Sequence, residues 1–399
     1  MNAKRVSVAP DSFKETLHAI DVARAICSVL NQAGIECDSI PMSDGGEGFA
    51  DVVATAIRDD PGREAQVSVH TANVTGPAGS NVFAQYYLAK EAGQPVMAIM
   101  DCASASGLAL AGGAESNDPV AATSQGTGEL IADAINSGAQ VILIGLGGSA
   151  TTDGGRPAIE AAERLCRLDT VKIVACYDVK NRFTEAARVF APQKGATPEQ
   201  VDILYRRLED LAIYYRDKYG VDVTHLAGGG AAGGLGGGLT LLGADLVAGF
   251  DIVAKYVHLE EKLKVADLVI TGEGKLDTTS FEGKVVGSII QMAHNIGVPV
   301  AVIAGSVEDK LVEDNKLVKD KSLKDGLSLL SPLQPEHLSQ VVGYQPTGLS
   351  WLVGSEDTRY LDKKKSSLRV VSLVDQFGRD TSFTDTIGCI ERAVNLICD

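Results

Sequence analysis

The feature that most constrains the fold is a unit that recurs along the chain: a short β-branched run, a loop of glycines or acids, and then a stretch with helical spacing. In the first copy, RVSV leads through APDS into apolar residues that recur at three- and four-residue steps from Leu17 to Leu30, and Gly34 is placed to end that helix. In a later copy, VILIG leads through a glycine loop to Pro157, which suits a first helical turn. Strands that alternate with helices predict an α/β fold with mostly parallel sheets.

One segment breaks this alternation and divides the chain. From Val67 to Leu88 the sequence holds two runs of alternating residues around a Gly-Pro turn, which predicts an antiparallel hairpin. A chain of 399 residues is also long for a single hydrophobic core. We therefore predict a first α/β domain made of residues 1–66 plus 265–399, and a second, inserted α/β domain over residues 67–264.

The segment from Glu308 to Arg369 differs in composition and charge pattern from the rest of the chain. It alternates acidic and basic residues and then becomes rich in turn residues. This pattern predicts a solvated helix and surface loops in place of a site.

The charge balance limits the classes of partner. A formal net charge of −16 and a sequence pI near 4.9 argue against non-specific binding to nucleic acid or to a membrane surface. No uninterrupted apolar stretch approaches the roughly 20 residues of a membrane span, and the sequence opens with no export signal. We expect a cytoplasmic protein with no nucleic-acid or membrane partner, and a homo-oligomer is left open.

The cysteines and histidines give no sign of a metal or redox motif. The seven cysteines form no CxxC pair, and the six histidines are scattered. Most cysteines lie in apolar surroundings, which predicts buried reduced thiols. A zinc site is not expected, since its usual ligand spacing is missing.

The loops that follow the predicted strands are where chemistry is expected. In open α/β sheets, ligands bind beyond the carboxyl ends of the parallel strands. Five loops of this kind combine glycine with acids, hydroxyls or lysines: residues 9–14, 43–48, 145–155, 228–238 and 271–277.

The loop GLGGSATTDGG fits neither of the two common nucleotide motifs. A dinucleotide fingerprint needs an acid at the end of the next strand, and Asp169 precedes that strand while Asp178 comes too late. A Walker sequence is also missing, because neither Gly-Lys pair has the upstream glycine and the following hydroxyl. A glycine loop that opens a helix can still bind phosphate through backbone N–H groups. The alternative is a loop whose glycines only permit tight packing against a neighbouring strand.

Acidic residues accompany these loops. Phosphoryl transfer requires Mg²⁺ held by carboxylates, an acid that accepts or orients the proton of the attacking hydroxyl, and cations for the phosphates. Each acid alone could equally cap a turn or a helix. Their shared position at strand ends favours a site, and the acids concerned are Asp11, Asp44, Glu47, Asp153, Asp178, Glu273 and Asp277.

Nine motifs of the chain resemble, in order, those of the type I glycerate kinases. They are APDSFK, PMSDGGEG, VTGPAG, ASGL, GTGELI, IGLGGSATTDGG, PQKGAT, GGGAAGGLGGGL and DLVITGEGKLD. The resemblance covers about residues 4–306. It implies a flavodoxin-like parallel-sheet domain with a second mixed α/β domain inserted, and ATP-dependent phosphorylation of D-glycerate to 2-phosphoglycerate.

For this reaction, with ATP and Mg²⁺ as cofactors, each candidate residue has an expected role. The metal ligands are expected among Asp44, Glu47 and Asp277. The expected catalytic residues are Asp153 and Asp178, either of which could orient the substrate hydroxyl, together with Lys14 and Lys275. Substrate or phosphate is expected to contact Asp11, Ser12, Gly147, Gly148, Ser149, Lys194 and Glu273.

Two alternatives are kept beside the glycerate kinase hypothesis. The chain departs from the family at Arg156-Pro157, at a shortened segment between Leu165 and Val171, and at the inserted Tyr177. A kinase of another small sugar acid would use Arg156 and Arg182 as altered contacts. A non-catalytic ligand-binding relative is the third hypothesis, and the retained acids argue against it.

Overall fold

The structure, a computed structural model, describes residues 3–13, 16–281, 283–308, 311, 328–330 and 368–398. The chain divides into two compact units: a first unit of Met1–Met42 with His258–Asp399, and a second unit of Ser43–Val257. Like the predicted domains, the two units are arranged with one inserted into the other, but their limits differ. Residues 43–66, which we predicted in the first domain, lie in the second unit. A compact unit is not by itself an independently folding domain, so the predicted domain boundaries stay a prediction.

Strands and helices alternate along most of the described chain, as the sequence pattern predicts. The strands are β1 (Arg5–Val8), β2 (Glu36–Ser39), β3 (Gln66–Thr75), β4 (Asn81–Lys90), β5 (Met97–Asp101), β6 (Val141–Gly145), β7 (Lys172–Tyr177), β8 (Asp245–Ala248), β9 (Leu268–Leu276), β10 (Val300–Val307), β11 (Ser328–Leu330) and β12 (Leu368–Ser372). The helices are α1 (Ala19–Gln32), α2 (Phe49–Asp59), α3 (Ala103–Ser106), α4 (Gln125–Asn136), α5 (Arg156–Leu165), α6 (Glu185–Phe190), α7 (Pro198–Tyr219), α8 (Leu235–Leu239), α9 (Gly249–Tyr256), α10 (Leu259–Lys264), α11 (Val285–Ile296), α12 (Leu373–Phe377), α13 (Arg379–Thr384) and α14 (Thr386–Cys398). Among these described helices, none is long and apolar enough to cross a membrane.

The first unit is built on one sheet with the strand order β11-β12-β10-β9-β1-β2. All neighbouring strands are parallel except β11 and β12. Without β11, the order β2-β1-β9-β10-β12 is the doubly wound order of flavodoxin-like folds. The predicted flavodoxin-like domain is thereby confirmed.

Helix α1 shows how the apolar spacing produces this unit. Its residues Val22, Ile26 and Leu30 are fully buried and share one core with Val8 of β1 and Val394 of α14. Burying each of these side chains stabilises the fold by about 1.5–3 kcal/mol. Beyond the helix end, Gly34 adopts a φ of +73°, a conformation that costs glycine little.

The second unit holds the mixed sheet, with the strand order β3-β4-β5-β6-β7-β8. The predicted hairpin is confirmed: β3 and β4 pair antiparallel, with Gln66 opposite Lys90 and Thr75 opposite Asn81. Strands β5 to β8 are parallel to one another, so their carboxyl ends share one edge of the sheet. The loops after β5, β6 and β7 therefore lie close together.

The prediction of reduced thiols is wrong for one pair of cysteines. Cys27 of α1 and Cys37 of β2 form a disulfide, with Cα atoms 5.6 Å apart. The two cysteines meet because α1 packs against β2 directly after a short turn. No spacing motif in the sequence predicts this contact. The free cysteines of the described chain are Cys102, Cys166, Cys176 and Cys389.

The predicted solvated helix and loops between Glu308 and Arg369 fall almost entirely outside the described residues. Strand β11 lies within this segment and pairs antiparallel with β12, with Ser328 opposite Val370. The remainder of that prediction stays a prediction.

Candidate active site

Two glycine loops of the second unit pack backbone against backbone. The amide of Gly147 donates to the carbonyl of Gly45 at 3.2 Å, and a Cβ on Gly147 would lie 2.4 Å from Cα of Gly46. Packing alone therefore requires glycine at position 147. This agrees with the alternative given above, in which the glycines of this loop permit tight packing. Next to it, a Cβ on Gly148 would lie 3.4 Å from the Glu47 carboxylate, so the structure brings these two predicted site residues together.

Lys194 anchors the loop that follows β6. It is 4% exposed, and its ammonium donates to Ser149 Oγ at 2.8 Å and to the Thr151 carbonyl at 2.7 Å. Burial lowers the pKa of Lys194 to about 8, although the nearby carboxylates of Asp153 and Asp178 favour its charged form. The sequence-predicted residues Ser149, Lys194, Asp153 and Asp178 thus share one electrostatic environment.

Asp153 is held by the backbone on both sides of its carboxylate. One oxygen accepts from the amide of Ser124 at 2.7 Å, and the other accepts from the amide of Gly155 at 3.0 Å. Burial raises the pKa of Asp153, while those two hydrogen bonds and Lys194 oppose the shift. This arrangement anchors the start of α5 to the loop before α4, and a catalytic role for Asp153 stays a prediction.

Asp178 follows the end of β7 and is partly buried. The end of β7 touches the loop of residues 43–48, because a Cβ on Gly45 would lie 2.8 Å from the Cys176 carbonyl. Asp178 is also near enough to Lys194 to favour its charged form. The position agrees with the expected role of orienting a substrate hydroxyl, which stays a prediction.

Two buried hydroxyls lie within the same loop. Thr151 and Thr152 are both 0% exposed, and neither side-chain oxygen has a hydrogen-bond partner within the described part of the chain. Buried hydroxyls are almost always hydrogen-bonded, and leaving one unpaired costs about 1–3 kcal/mol. The loop after β6 therefore contains two buried hydroxyls that the described residues do not satisfy.

Asp101 is a residue that sequence reasoning missed. It ends β5, and its carboxylate accepts from the amides of Gly48 at 3.0 Å and Ala50 at 3.1 Å, at the start of α2. A Cβ on Gly145 would lie 2.7 Å from the same carboxylate, so Asp101 joins both glycine loops. Burial raises the pKa of Asp101 to about 7, against the effect of the two amide hydrogen bonds. The sequence places Asp101 at the end of a predicted strand, which could have indicated a site residue. No glycine run adjoins Asp101, so it was not distinguished from other acids.

Other predicted residues lie in the first unit, at or near the carboxyl ends of β1 and β9. The amide of Asp11 donates to the Gly272 carbonyl at 2.8 Å, and the amide of Ser12 donates to the Asp11 carboxylate at 2.7 Å. Glu273, the residue after Gly272, is 9% exposed. The structure therefore brings Asp11, Ser12 and Glu273 to one sheet edge, while Lys14 lies outside the described residues.

Asp277 caps the short turn Thr278–Phe281. Its carboxylate accepts from the amide of Thr279 at 2.9 Å and from the Thr279 hydroxyl at 2.7 Å. Burial would raise the pKa of Asp277, but those hydrogen bonds, Lys284 and Lys275 together lower it. The Lys275 ammonium lies 3.9 Å from Asp277 and is largely exposed, so these two predicted residues are neighbours.

The carboxylates do not form a complete metal cage on their own. Among the described residues, no group of three or more His, Cys, Asp or Glu could hold a metal ion. Asp44 uses one oxygen to accept from the amide of Gly46 at 3.1 Å, whereas Glu47 is exposed beside Gly148. Mg²⁺ commonly takes only one or two carboxylates and completes its shell with water and phosphate oxygens. Glu47 fits that smaller role, and the metal assignment of Asp44, Glu47 and Asp277 stays a prediction.

The fold and the strand-end loops define the class of protein: an α/β protein whose strand-end loops combine glycines, buried hydroxyls and a buried lysine. Comparisons with known proteins narrow this class. Residues 6–165 and 157–324 match the glycerate kinase family. The chain belongs to this family, and it is a kinase.

Three relatives show the extent of the similarity. The glycerate 2-kinase of Escherichia coli K12 is 38% identical over 340 residues, which cover 76% of this chain and 86% of that protein. An uncharacterized protein of Mycobacterium bovis is 38% identical over 317 residues, which cover 76% of this chain and 80% of that protein. A crystal structure described as a glycerate kinase 2 from Salmonella typhimurium LT2 is 37% identical, with a TM-score of 0.61, over 76% of this chain and 87% of that one.

Proposed function

We propose that this protein transfers the terminal phosphoryl group of ATP to D-glycerate, with ADP and 2-phosphoglycerate as products. The observation that carries the proposal is the buried Lys194 ammonium, fixed by Ser149 and the Thr151 carbonyl among glycine amides. A cation held out of water attracts an anionic substrate more strongly than an exposed one does. Relatives named glycerate kinase or glycerate 2-kinase, at 35–38% identity, support glycerate as the substrate.

Lys194 and the loop after β6 are assigned to the anionic groups of the reactants. Ser149 presents a hydroxyl already aligned by Lys194, and the buried hydroxyls of Thr151 and Thr152 lie beside it. The amide of Gly148 adds a donor without a side chain in the way, whereas Gly147, whose amide already donates to the Gly45 carbonyl, permits the close backbone approach. Together they would neutralise and orient a carboxylate or a phosphate.

Asp178 is the acid to which we assign the substrate hydroxyl. Both oxygens of Asp153 already accept backbone hydrogen bonds, so Asp153 is better suited to hold the loop in place. A carboxylate near the attacking hydroxyl accepts its proton and aligns it for in-line transfer.

In the first unit, the candidate residues lie on the loops after β1 and β9. Asp11, Ser12 and Glu273 share one sheet edge, and Lys14 and Lys275 supply positive charge to the same loops. We assign these residues to binding of the reactants, and Lys14 and Lys275 to charge stabilisation during transfer.

Mg²⁺ belongs to the same proposal. In the second unit, Glu47 would hold it with Asp44 as a second carboxylate, and the phosphates of ATP would supply the remaining ligands. In the first unit, Asp277 is the candidate metal ligand. When bound, the ion would neutralise charge on the phosphates. We also place the reaction in the cytoplasm.

A coupled assay for ADP, with Mg²⁺, ATP and a panel of small sugar acids, tests the proposal. D-glycerate is expected to give the highest kcat/KM, and Lys194→Met is expected to remove most of that activity while the protein stays folded. A faster reaction with another sugar acid would favour the second hypothesis. Calorimetric nucleotide binding without turnover, by folded protein, would favour the non-catalytic one.

A further inference from the structure

Strand β3 is an edge of the second unit's sheet with an unusual composition. It is ten residues long, and its sequence QVSVHTANVT contains no Lys, Arg, Asp, Glu or Pro. In the whole chain 22% of residues are charged. Edge strands of soluble proteins are normally protected by lysines, prolines or bulges, because their unpaired backbone groups can join another strand. β3 carries neither of those protective residue types.

The backbone groups available on this edge follow from the hairpin register. The amide of Gly76 donates to the Ser80 carbonyl at 2.7 Å, so alternate residues of β3, from Val74 back to Gln66, exchange hydrogen bonds with β4. The residues between them direct their N–H and C=O groups away from β4. Among the described strands none pairs with β3 on that side.

One end of the edge is closed by the protein itself. The outward amide of Thr75 donates to the Glu129 carboxylate of α4 at 2.6 Å. The stretch left for pairing is therefore Val67–Asn73, whose outward residues are Val67, Val69, Thr71 and Asn73. Its midpoint is His70.

Apolar side chains accompany this stretch. Val69 is 58% exposed, and Phe83, which lies opposite Asn73 on β4, is 78% exposed. Side chains alternate between the two faces of a sheet along a strand. The side chains of Val69 and Phe83 therefore lie on the same face as those of Val67, Thr71 and Asn73, the other residues whose backbone groups point away from β4. Exposed apolar groups next to an unpaired edge are typical of an interaction surface.

We propose that β3 pairs with β3 of a second copy of this chain, antiparallel about a two-fold axis at His70. In this arrangement Val69 lies opposite Thr71 of the partner subunit, and the two six-stranded sheets become continuous. An antiparallel edge is self-complementary, because each outward residue offers one donor and one acceptor to the outward residue opposite it on the second copy.

The charge of β3 itself does not oppose a second copy as the occupant. Each chain carries a net charge of −16, so two copies repel over most of their surfaces. Pairing along Gln66–Thr75 brings no charged side chain of β3 against another, which keeps the cost of like-charge contact low. This assignment is independent of the proposed kinase reaction.

Sedimentation equilibrium of the full chain tests the proposal. The protein is expected to be a dimer, and Thr71→Lys or Val69→Lys is expected to raise the dimer Kd by on the order of 100-fold, because symmetry places like charges together at the axis. Val189→Lys on α6 is the matched control, since Val189 is 49% exposed and far from β3 in sequence, and it should leave the Kd unchanged.

Two results would overturn the proposal. One is a monomer at all concentrations tested, and protection of the amides of Val67–Asn73 from hydrogen exchange in that monomer would show that another part of the same chain covers the edge. The other is a dimer that both β3 variants leave intact. Circular dichroism and thermal melts of each variant confirm that the comparison is between folded proteins.

Discussion

At the residue scale, Asp101 ties the start of α2 to the end of β5 through two backbone amides. Asp101→Asn replaces one acceptor oxygen by an NH₂ group, so one of these amides loses its partner. We expect a loss of about 1–3 kcal/mol in the free energy of unfolding and a fall in kcat/KM, because the loop holding Asp44 and Glu47 loses its anchor. Urea unfolding and steady-state kinetics measure the two effects.

Asp133→Asn is the matched control for Asp101→Asn. The Asp133 carboxylate accepts from the Tyr86 hydroxyl at 2.8 Å, away from the glycine loops. It should lower stability without changing kcat/KM. Equal losses of activity in both variants would show that Asp101 acts only through global stability.

Lys194 gives a pH dependence whose sign follows from its lowered pKa. Its ammonium loses the proton as pH rises through about 8. If the cation binds an anionic reactant, the KM of that reactant should rise above this pH. An unfolded lysine titrates near about 10.4, so the unfolded state binds more protons in between, and Lys194 makes the protein more stable as pH rises through that window.

Comparison of the wild type with Lys194→Met separates the effect of Lys194 on KM and on stability from the effects of the other titrating groups. The difference in unfolding free energy between wild type and variant should grow in favour of the wild type from about pH 8 to about pH 10.4. A difference that is flat over this range would contradict a lowered pKa for Lys194.

Some residue-level features were predictable and others were not. The cluster of Ser149, Lys194 and Asp178 follows from glycine-rich or acidic loops at the ends of parallel strands. The partner of Asp153 could not be foreseen, because the Ser124 amide is 29 residues away and nothing local marks it. Asp101 was missed for the same reason.

At the scale of elements, the loop after β6 depends on close backbone contact. In Gly147→Ala the new Cβ would lie 2.4 Å from Cα of Gly46, so the two glycine loops must separate. We expect a loss of about 1–3 kcal/mol in stability and of most activity. Gly243→Ala is the control: Gly243 has a φ of +82° and no neighbouring atom within 4 Å, so only about 1 kcal/mol is expected. Unchanged activity in Gly147→Ala would show that the loop is not part of the site.

The Cys27–Cys37 disulfide joins α1 to β2 across a sequence separation of 10 residues. Closing a loop of this size restricts the unfolded chain and stabilises the fold by about 2–3 kcal/mol. Urea unfolding with and without a reductant should show that difference. The double variant Cys27→Ser, Cys37→Ser should be insensitive to reductant, and a wild-type midpoint equally insensitive would contradict the pairing.

Most elements were predictable, because strands and helices here carry clear periods of two and of three to four residues. The β3–β4 hairpin and helix α1 are examples. The disulfide was not, since it depends on which helix face meets β2. The edge position of β3 also depends on strand order, which local patterns do not contain.

At the scale of the whole molecule, two sheets of different topology lie in one chain that belongs to the glycerate kinase family. The discontinuous order was foreseeable from the break in alternation at the hairpin. The limits of the units were not, because residues 43–66 are held in the second unit by long-range contacts such as that of Asp101 with the amide of Gly48.

The most direct test of the proposed reaction is the identification of its product. Phosphorus and proton NMR of a mixture of the protein, ATP, Mg²⁺ and D-glycerate should show ADP and 2-phosphoglycerate forming in equal amounts, and Lys194→Met should form neither at a comparable rate. Formation of 3-phosphoglycerate, or of no phosphoglycerate by folded wild-type protein, would contradict the assignment.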